Sequence, residues 1–237
     1  MRIEILYPEL CCLYGDKGNT KFLQQCLPEA EFIETSLNSK PAFLTEQVDL
    51  CCMYSMSEKS QELILNRLFQ WKDEVVSACK EGKTLFLFLG NAMELLGQYI
   101  QREDGSKVEA LGVFDTHTVR HAPNRFNTLI QSTFQDMTLL GYTSRFADTF
   151  GITEDIALCK VSTGSGSDPK SKLEGILSGR VIATYLLGPL LVANPDFTKW
   201  LMVQLGVETP ALPFEDALYL AYETKRKEFQ RSDLELD

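Results

Sequence analysis

Between Thr84 and Leu89 the chain runs Thr-Leu-Phe-Leu-Phe-Leu without a charge, and directly after it Gly90-Asn91 leads into an apolar period of helical spacing, Ala92-Met93-Glu94-Leu95-Leu96. An unbroken apolar run with aromatics reads as a strand buried on both faces, which a sheet covered by helices on both sides provides. The abrupt turn at Gly90 presents its first residue at the carboxyl edge of that sheet, beside the amino terminus of the helix expected over Ala92 to Tyr99. In doubly wound sheets this edge is where ligands bind.

The neighbouring segments extend the pattern. Strand Ile3 to Tyr7 leads to a helix from Gly18 to Cys26, strand Glu31 to Thr35 follows, and strand Val48 to Met53 leads to one long helix from Glu58 to Lys80. That helix places Leu63, Ile64, Leu68, Trp71, Val75, Val76 and Cys79 on one face. A βαβ series with right-handed crossovers gives a largely parallel sheet. From Val108 to Val161 short strands and turns replace long helical period, the pattern of an antiparallel extension. Ser162 to Ser171 is rich in Gly and Ser and lacks the Gly-Lys-Ser/Thr ending of a phosphate loop, so it reads as a flexible solvated hairpin.

The segment around Gly90 resembles the Cys-Gly-Gly-aromatic-Gln-Leu-Leu-Gly elbow of class I glutamine amidotransferases, in the branch that includes cobyric acid synthase and GatD, the glutaminase subunit of lipid II isoglutaminyl synthase. Leu95-Leu96-Gly97 anchors the match. It places Gly90 at the catalytic cysteine, Asn91 and Ala92 on the two glycines and Glu94 on the glutamine. Ala183-Thr184-Tyr185-Leu186-Leu187-Gly188-Pro189 resembles the strand and Tyr-Leu-His-Gly-Pro signature that carries the general base, with Leu187 in the histidine's place. Tyr54-Ser55-Met56 stands where the family has the three glycines of its oxyanion loop.

Further matches carry the resemblance from residue 3 to residue 205. Leu13-Tyr14-Gly15-Asp16-Lys17-Gly18-Asn19 is similar to a family stretch whose aspartate, here Asp16, is associated with orienting the histidine. Leu111 to Asp115 is similar to the strand after the elbow helix, and Asn124-Arg125 to an Asn-Arg whose arginine holds the substrate's carboxylate. Gly141 to Asp148 departs from the polar family pattern. The resemblance implies a flavodoxin-like, doubly wound, mostly parallel α/β sheet with an antiparallel extension over residues 1–208. Residues 209–237, beyond the matched part, read as a C-terminal helix whose stripe of Leu218, Ala221, Tyr222 and Lys225 packs by default on the parent domain or else on a partner, followed by a tail from Ser232 to Asp237 that frays.

Acyl transfer through a thioester needs a thiolate, a base and oxyanion donors. At all three places this chain has something else. The resemblance therefore implies a glutaminase-like subunit without catalytic residues, a partner of a MurT-like Mur ligase subunit in the amidation of lipid II. Arg125, Asp16, Asn91 and Glu94 are its candidate contacts to glutamine or another small carboxylate, and Lys17 or Arg125 would offset the charge of Glu94. Two alternatives stand beside it: an active amidotransferase whose nucleophile has moved to Cys51 or Cys52, and a stand-alone module that holds a small anion at the Gly90 elbow.

Composition narrows the field. A formal charge of −10 argues against nucleic acid or an anionic membrane surface as partner. Met1 to Tyr7 reads as a short strand, not a leader, and no apolar run is long enough to span a bilayer, so the expected compartment is the cytoplasm. The seven cysteines include the adjacent pairs Cys11-Cys12 and Cys51-Cys52, whose spacing suits neither a zinc site nor a disulfide framework; reduced, structural thiols are expected, with no metal or cofactor. His117 and His121, the two histidines, lie outside the Gly-Pro motif and are expected at the surface.

Overall fold

In the computed structural model, which describes residues 1–231, the apolar run becomes strand β4 (Leu85–Leu89), every residue of which is buried. It sits inside a nine-stranded sheet. One half of that sheet is parallel: β2 (Glu31–Thr35) pairs β1 (Arg2–Leu6), β1 pairs β3 (Leu50–Met53), β3 pairs β4, and β4 pairs β13 (Val181–Thr184). The other half is antiparallel, continuing through β12 (Leu173–Ser178), β11 (Ala157–Thr163), β8 (Phe126–Phe134) and β9 (Met137–Arg145). The doubly wound sheet with an antiparallel extension is thus present. A separate four-stranded sheet, made by β5 (Tyr99–Gln101), β6 (Lys107–Glu109), β7 (His117–Arg120) and β10 (Ala147–Phe150), was not anticipated from the sequence.

The helices carry their own end signals. α2 (Glu58–Leu68) opens on Ser57, whose hydroxyl accepts from the Ser60 N–H, with Glu58 in its first turn and Arg67 in its last. α1 (Lys17–Cys26), α4 (Leu190–Ala193), α5 (Pro195–Gln204) and α6 (Glu215–Glu228) pack as one group. Within it the Asn19 side chain accepts from the Leu191 N–H at 3.0 Å. Tyr222 of α6 is buried against Leu140, and its hydroxyl donates to the Thr138 carbonyl at 2.8 Å, which pins the C-terminal helix to the parent sheet. Of the stripe expected there, Ala221 is exposed. The Ser232 to Asp237 tail lies outside the described residues.

Four expectations need correction. The long helix is two, α2 and α3 (Lys72–Glu81), broken by a 3-10 turn at Phe69–Trp71. Trp71 leaves the helical region at φ −132°, and the rings of Trp71 and Phe69 are covered by Arg67 and Lys72. Leu63 falls off the buried face at 48% exposure, while Gln61 and Leu65 are buried on it. After β4 the helical period is a 3-10 helix, Gly90–Leu96, not an α-helix. The amides of Leu111, Val113 and Phe114 bond its last carbonyls, and Gly97 lies too close to the Thr116 carbonyl to admit a side chain.

The fourth correction concerns the Gly/Ser-rich loop, which is tethered rather than free. Arg145 Nη2 donates to the Gly166 carbonyl at 3.0 Å, Lys172 Nζ to the Gly164 carbonyl at 2.7 Å, and the Thr149 N–H to the Ser167 carbonyl at 2.9 Å. Composition reported its polarity. The long-range partners that fix it lie on other strands.

Candidate functional site

The segments that follow β3, β4 and β13 meet at the carboxyl edge of the sheet, because Met53 pairs with Phe88 and Thr184 with Leu89. Gly90 takes the turn out of β4 at φ +62°, a left-handed conformation that costs a residue with a side chain about 1–2 kcal/mol. A Cβ placed on it would lie 2.2 Å from the Ser55 Oγ and 2.9 Å from the Ser55 Cβ. The Ser55 side chain therefore stands where a side chain at position 90 would go. Its hydroxyl is buried.

The 54–56 loop is clamped from both sides. The Ser55 N–H donates to Asp16 Oδ2 at 3.0 Å, and the Met56 N–H donates to Asn91 Oδ1 at 2.9 Å. Asn91 Nδ2 returns a bond to the Met56 carbonyl at 2.8 Å. Burial pushes the Asp16 carboxyl up to about 6, against the opposing pull of its bond from Ser55. The amides of Ser55 and Met56 are thus committed to fixed acceptors and do not face a developing negative charge.

Glu94 forms part of the wall of the small cavity above Gly90, about 140 Å³ in volume, and is itself 3% exposed. Its carboxylate accepts from Gln61 Nε2 at 2.8 Å and from the Tyr185 hydroxyl at 2.8 Å. Desolvation raises it to about 7, partly offset by those two donors and by Arg120. Arg120 in turn donates to Gln61 Oε1 and forms an ion pair with Glu62, both at 2.7 Å. Neither Lys17 nor Arg125 balances Glu94; Gln61, Tyr185 and Arg120 do.

Arg125 closes the cavity from the β8 side. Its Nη1 donates to the Tyr14 hydroxyl at 2.6 Å and to Ser144 Oγ at 3.2 Å, and its guanidinium lies 4.3 Å from the Phe146 ring centroid. Among the described residues, its Nε and Nη2 have no protein acceptor and no carboxylate lies within ion-pair distance. The edge that grips a carboxylate through two parallel bonds is therefore unoccupied, on a guanidinium already oriented.

The parallel sheet with its turn at the carboxyl edge defines a class I glutamine amidotransferase-like fold. Solved structures with this fold include a glutamine amidotransferase (TM-score 0.56, 13% identity, 86% of this chain and 99% of that one) and a chain of the PurLQS structure from Thermotoga maritima (TM-score 0.55, 11% identity, 94% and 97%). No family model matches the chain. In sequence it is GatD-like: it is 25% identical over 206 residues to the lipid II isoglutaminyl synthase (glutamine-hydrolyzing) subunit GatD of Staphylococcus aureus, covering 86% of this chain and 83% of that protein. To the GatD of Streptococcus pneumoniae it is 25% identical over 227 residues, covering 92% and 87%.

Ser55, Met56, Gly90, Asn91, Glu94 and Arg125, singled out in the sequence, all border the one cavity. Three others do not. Tyr54 points away and bonds Thr20 Oγ1 at 2.9 Å, so it does not fill the space above the loop. Asp16 holds the loop amide rather than an imidazole. Leu187 follows β13, the strand beside β4, but is 2% exposed and locked to Tyr142 by two backbone bonds of 2.8 and 3.2 Å.

Cys51 and Cys52 lie inside β3 at 0% exposure, with burial raising the Cys51 thiol well above its ordinary value and the Cys52 thiol to about 12. Neither is placed as a thiolate nucleophile for the cavity. The 3-10 helix at Gly90 likewise lacks the α-helical amino terminus on which an anion module would rely. Arg120, Gln61 and Tyr185 escaped sequence reading. Only the buried polar character of Gln61 on an otherwise apolar helix face could have signalled them.

Among the described residues, no group of three or more His, Cys, Asp or Glu side chains is placed to hold a metal. No helix there is long and apolar enough to cross a membrane.

Proposed function

We propose that this chain is a non-hydrolysing glutamine amidotransferase-like subunit, acting in the cytoplasm beside a MurT-like Mur ligase in the amidation of a cell-wall precursor. One observation carries the reading: the Ser55 side chain fills the slot of a nucleophile at residue 90. The commitment of the Ser55 and Met56 amides to Asp16 and Asn91 supports it further. A thiol, a base and oxyanion donors act as a unit, and losing a member of such a set costs several orders of magnitude in rate. Binding needs none of the three. Arg125, held by Tyr14, Ser144 and Phe146 with its bidentate edge open, is suited to grip the carboxylate of a small ligand in a site without turnover.

The relatives are named as subunits of lipid II isoglutaminyl synthase, which supports a partnered role; the Mur-ligase-like partner comes from the resemblance. The test is to purify the chain together with its Mur-ligase-like partner and supply either glutamine or ammonium as nitrogen donor. Amidation with ammonium alone is the expected result. Amidation driven by glutamine at low ammonium would refute the reading.

A further inference from the structure

Behind the cavity wall, Glu94 begins a line of hydroxyls that ends in the small sheet. The Tyr185 hydroxyl lies 2.8 Å from Glu94 Oε1, Thr149 Oγ1 of β10 lies 2.7 Å from that hydroxyl, and Thr118 Oγ1 of β7 lies 2.9 Å from Thr149 Oγ1. All four residues are buried. Each hydroxyl carries one hydrogen, so the three contacts must be donated in one consistent direction. With Glu94 ionised the carboxylate only accepts: Tyr185 donates to it, Thr149 to Tyr185, and Thr118 to Thr149.

The other side of Glu94 decides where a proton goes. Gln61 Nε2 donates to Glu94 Oε2 at 2.8 Å and to the Asn91 carbonyl at 2.7 Å, while Gln61 Oε1 accepts from Arg120 Nη2 at 2.7 Å. Turning that amide over would set its nitrogen against the Arg120 guanidinium and its oxygen against the Asn91 carbonyl. A proton on Oε2 would oppose the Gln61 N–H, so it sits on Oε1, and Tyr185 then accepts from it. The Tyr185 hydrogen turns to Thr149 and the Thr149 hydrogen to Thr118, with no heavy atom moved. Among the described residues Thr149 Oγ1 is the hydrogen-bond partner of Thr118 Oγ1. The reversed chain therefore leaves a buried hydroxyl hydrogen on β7 without an acceptor, a costly end for such a chain. Burial brings the Glu94 carboxyl up to about 7, so both directions are populated near neutral pH.

We propose that Glu94, Tyr185, Thr149 and Thr118 form a hydroxyl relay whose direction is set by the charge of Glu94, so that proton uptake at the cavity wall loosens the pairing of β7 with β10. The charged groups around Glu94 are Arg120 of β7 and Glu58 and Glu62 of α2, with Glu62 ion-paired to Arg120 at 2.7 Å. Around Tyr185 stand Glu174 of β12, which accepts from the Tyr185 N–H at 2.7 Å, and Arg145 of β9, 5.0 Å from the Tyr185 ring centroid and paired with Asp148 of β10. Two histidines flank the relay. His117 of β7 stacks between Tyr99 and Phe150, at 5.0 and 5.5 Å between ring centroids, and His121 Nε2 faces Asp148 at 3.5 Å. Neither ring bonds a relay member among the described residues.

The test is amide hydrogen exchange of the full chain at about pH 6 and about pH 8, read by mass spectrometry as protection factors on peptides covering β7, β10 and the remote strand β2. At the lower pH, β7 and β10 are expected to lose protection by about threefold or more while β2 loses none. That loss is opposite in sign to the global stability gained when a buried carboxyl takes up its proton. Glu94→Gln, neutral and able to donate an amide N–H to Tyr185, is expected to hold β7 and β10 at the lower protection at both pH values. Tyr185→Phe and Thr149→Val, which cut the relay at two points, are each expected to abolish the pH difference on β7, and His117→Gln and His121→Gln each to keep it. Equal protection of wild-type β7 at the two pH values, a difference that survives Glu94→Gln or either cut, or one lost with either histidine would overturn the proposal. Its failure is distinct from that of the functional reading, which is decided by nitrogen-donor use.

Discussion

Replacing Gly90 by alanine should destabilise the protein through two separable effects. The left-handed backbone costs a residue with a Cβ about 1–2 kcal/mol. The overlap with Ser55, 2.2 Å to Oγ and 2.9 Å to Cβ, adds an overpacking cost of about 1–3 kcal/mol, because rotating the hydroxyl relieves the first contact but not the second. Together these give about 2–5 kcal/mol, or a fall of about 4–20 °C in Tm for a domain of this size. In a Ser55→Gly background the nearest remaining Ser55 atom is Cα at 3.4 Å, an ordinary contact, so the backbone cost alone should remain. Urea denaturation of the two single variants and the double variant then yields a coupling of about 1–3 kcal/mol. Additivity to within about 0.5 kcal/mol would show that Ser55 does not occupy the side-chain slot of residue 90.

Asn91→Ala should release both backbone bonds of Met56, and hydrogen exchange should show loss of protection at the Met56 amide; an unchanged exchange rate would remove the clamp from the account. Burial raises the Glu94 carboxyl from 4.5 to about 7, so the folded protein holds that proton more tightly than the unfolded chain does. The resulting stability is present below about pH 4.5 and is lost as pH rises through about 7, a change of about 3 kcal/mol. Glu94→Gln should flatten this part of the urea-midpoint profile between pH 5 and 8, and an equal slope in both proteins would contradict the assignment. Cys51 and Cys52 should resist iodoacetamide in the native protein and react only at the rate of unfolding, while the half-buried Cys12 reacts first; mass mapping of the alkylated peptides distinguishes them.

The elements that were legible in the sequence are those whose signal is local. β1, α1 and β2 follow from short apolar runs and their boundaries, and β4 from an apolar stretch that only a covered central strand explains. The break at Phe69–Trp71 was hidden because a 3-10 turn hardly disturbs the apolar spacing on either side of it. At the site, Gly90, Ser55, Asn91, Glu94 and Arg125 were found because a motif places them. The direction of their side chains was not written in the motif. Asp16 serves a loop amide and Glu94 a buried Gln61–Tyr185 pair, and both outcomes depend on contacts between residues far apart in the chain. The relay from Glu94 to Thr118 was invisible for the same reason, since its members come from four separate parts of the chain.

The most direct measurement of the central claim is glutamate formation from amide-labelled glutamine by the purified chain, alone and with its Mur-ligase-like partner. No release of labelled ammonia above buffer is expected in either case. Turnover that depends on the chain, and that Cys51→Ala, Cys52→Ala or Ser55→Ala abolishes without unfolding it, would contradict the account.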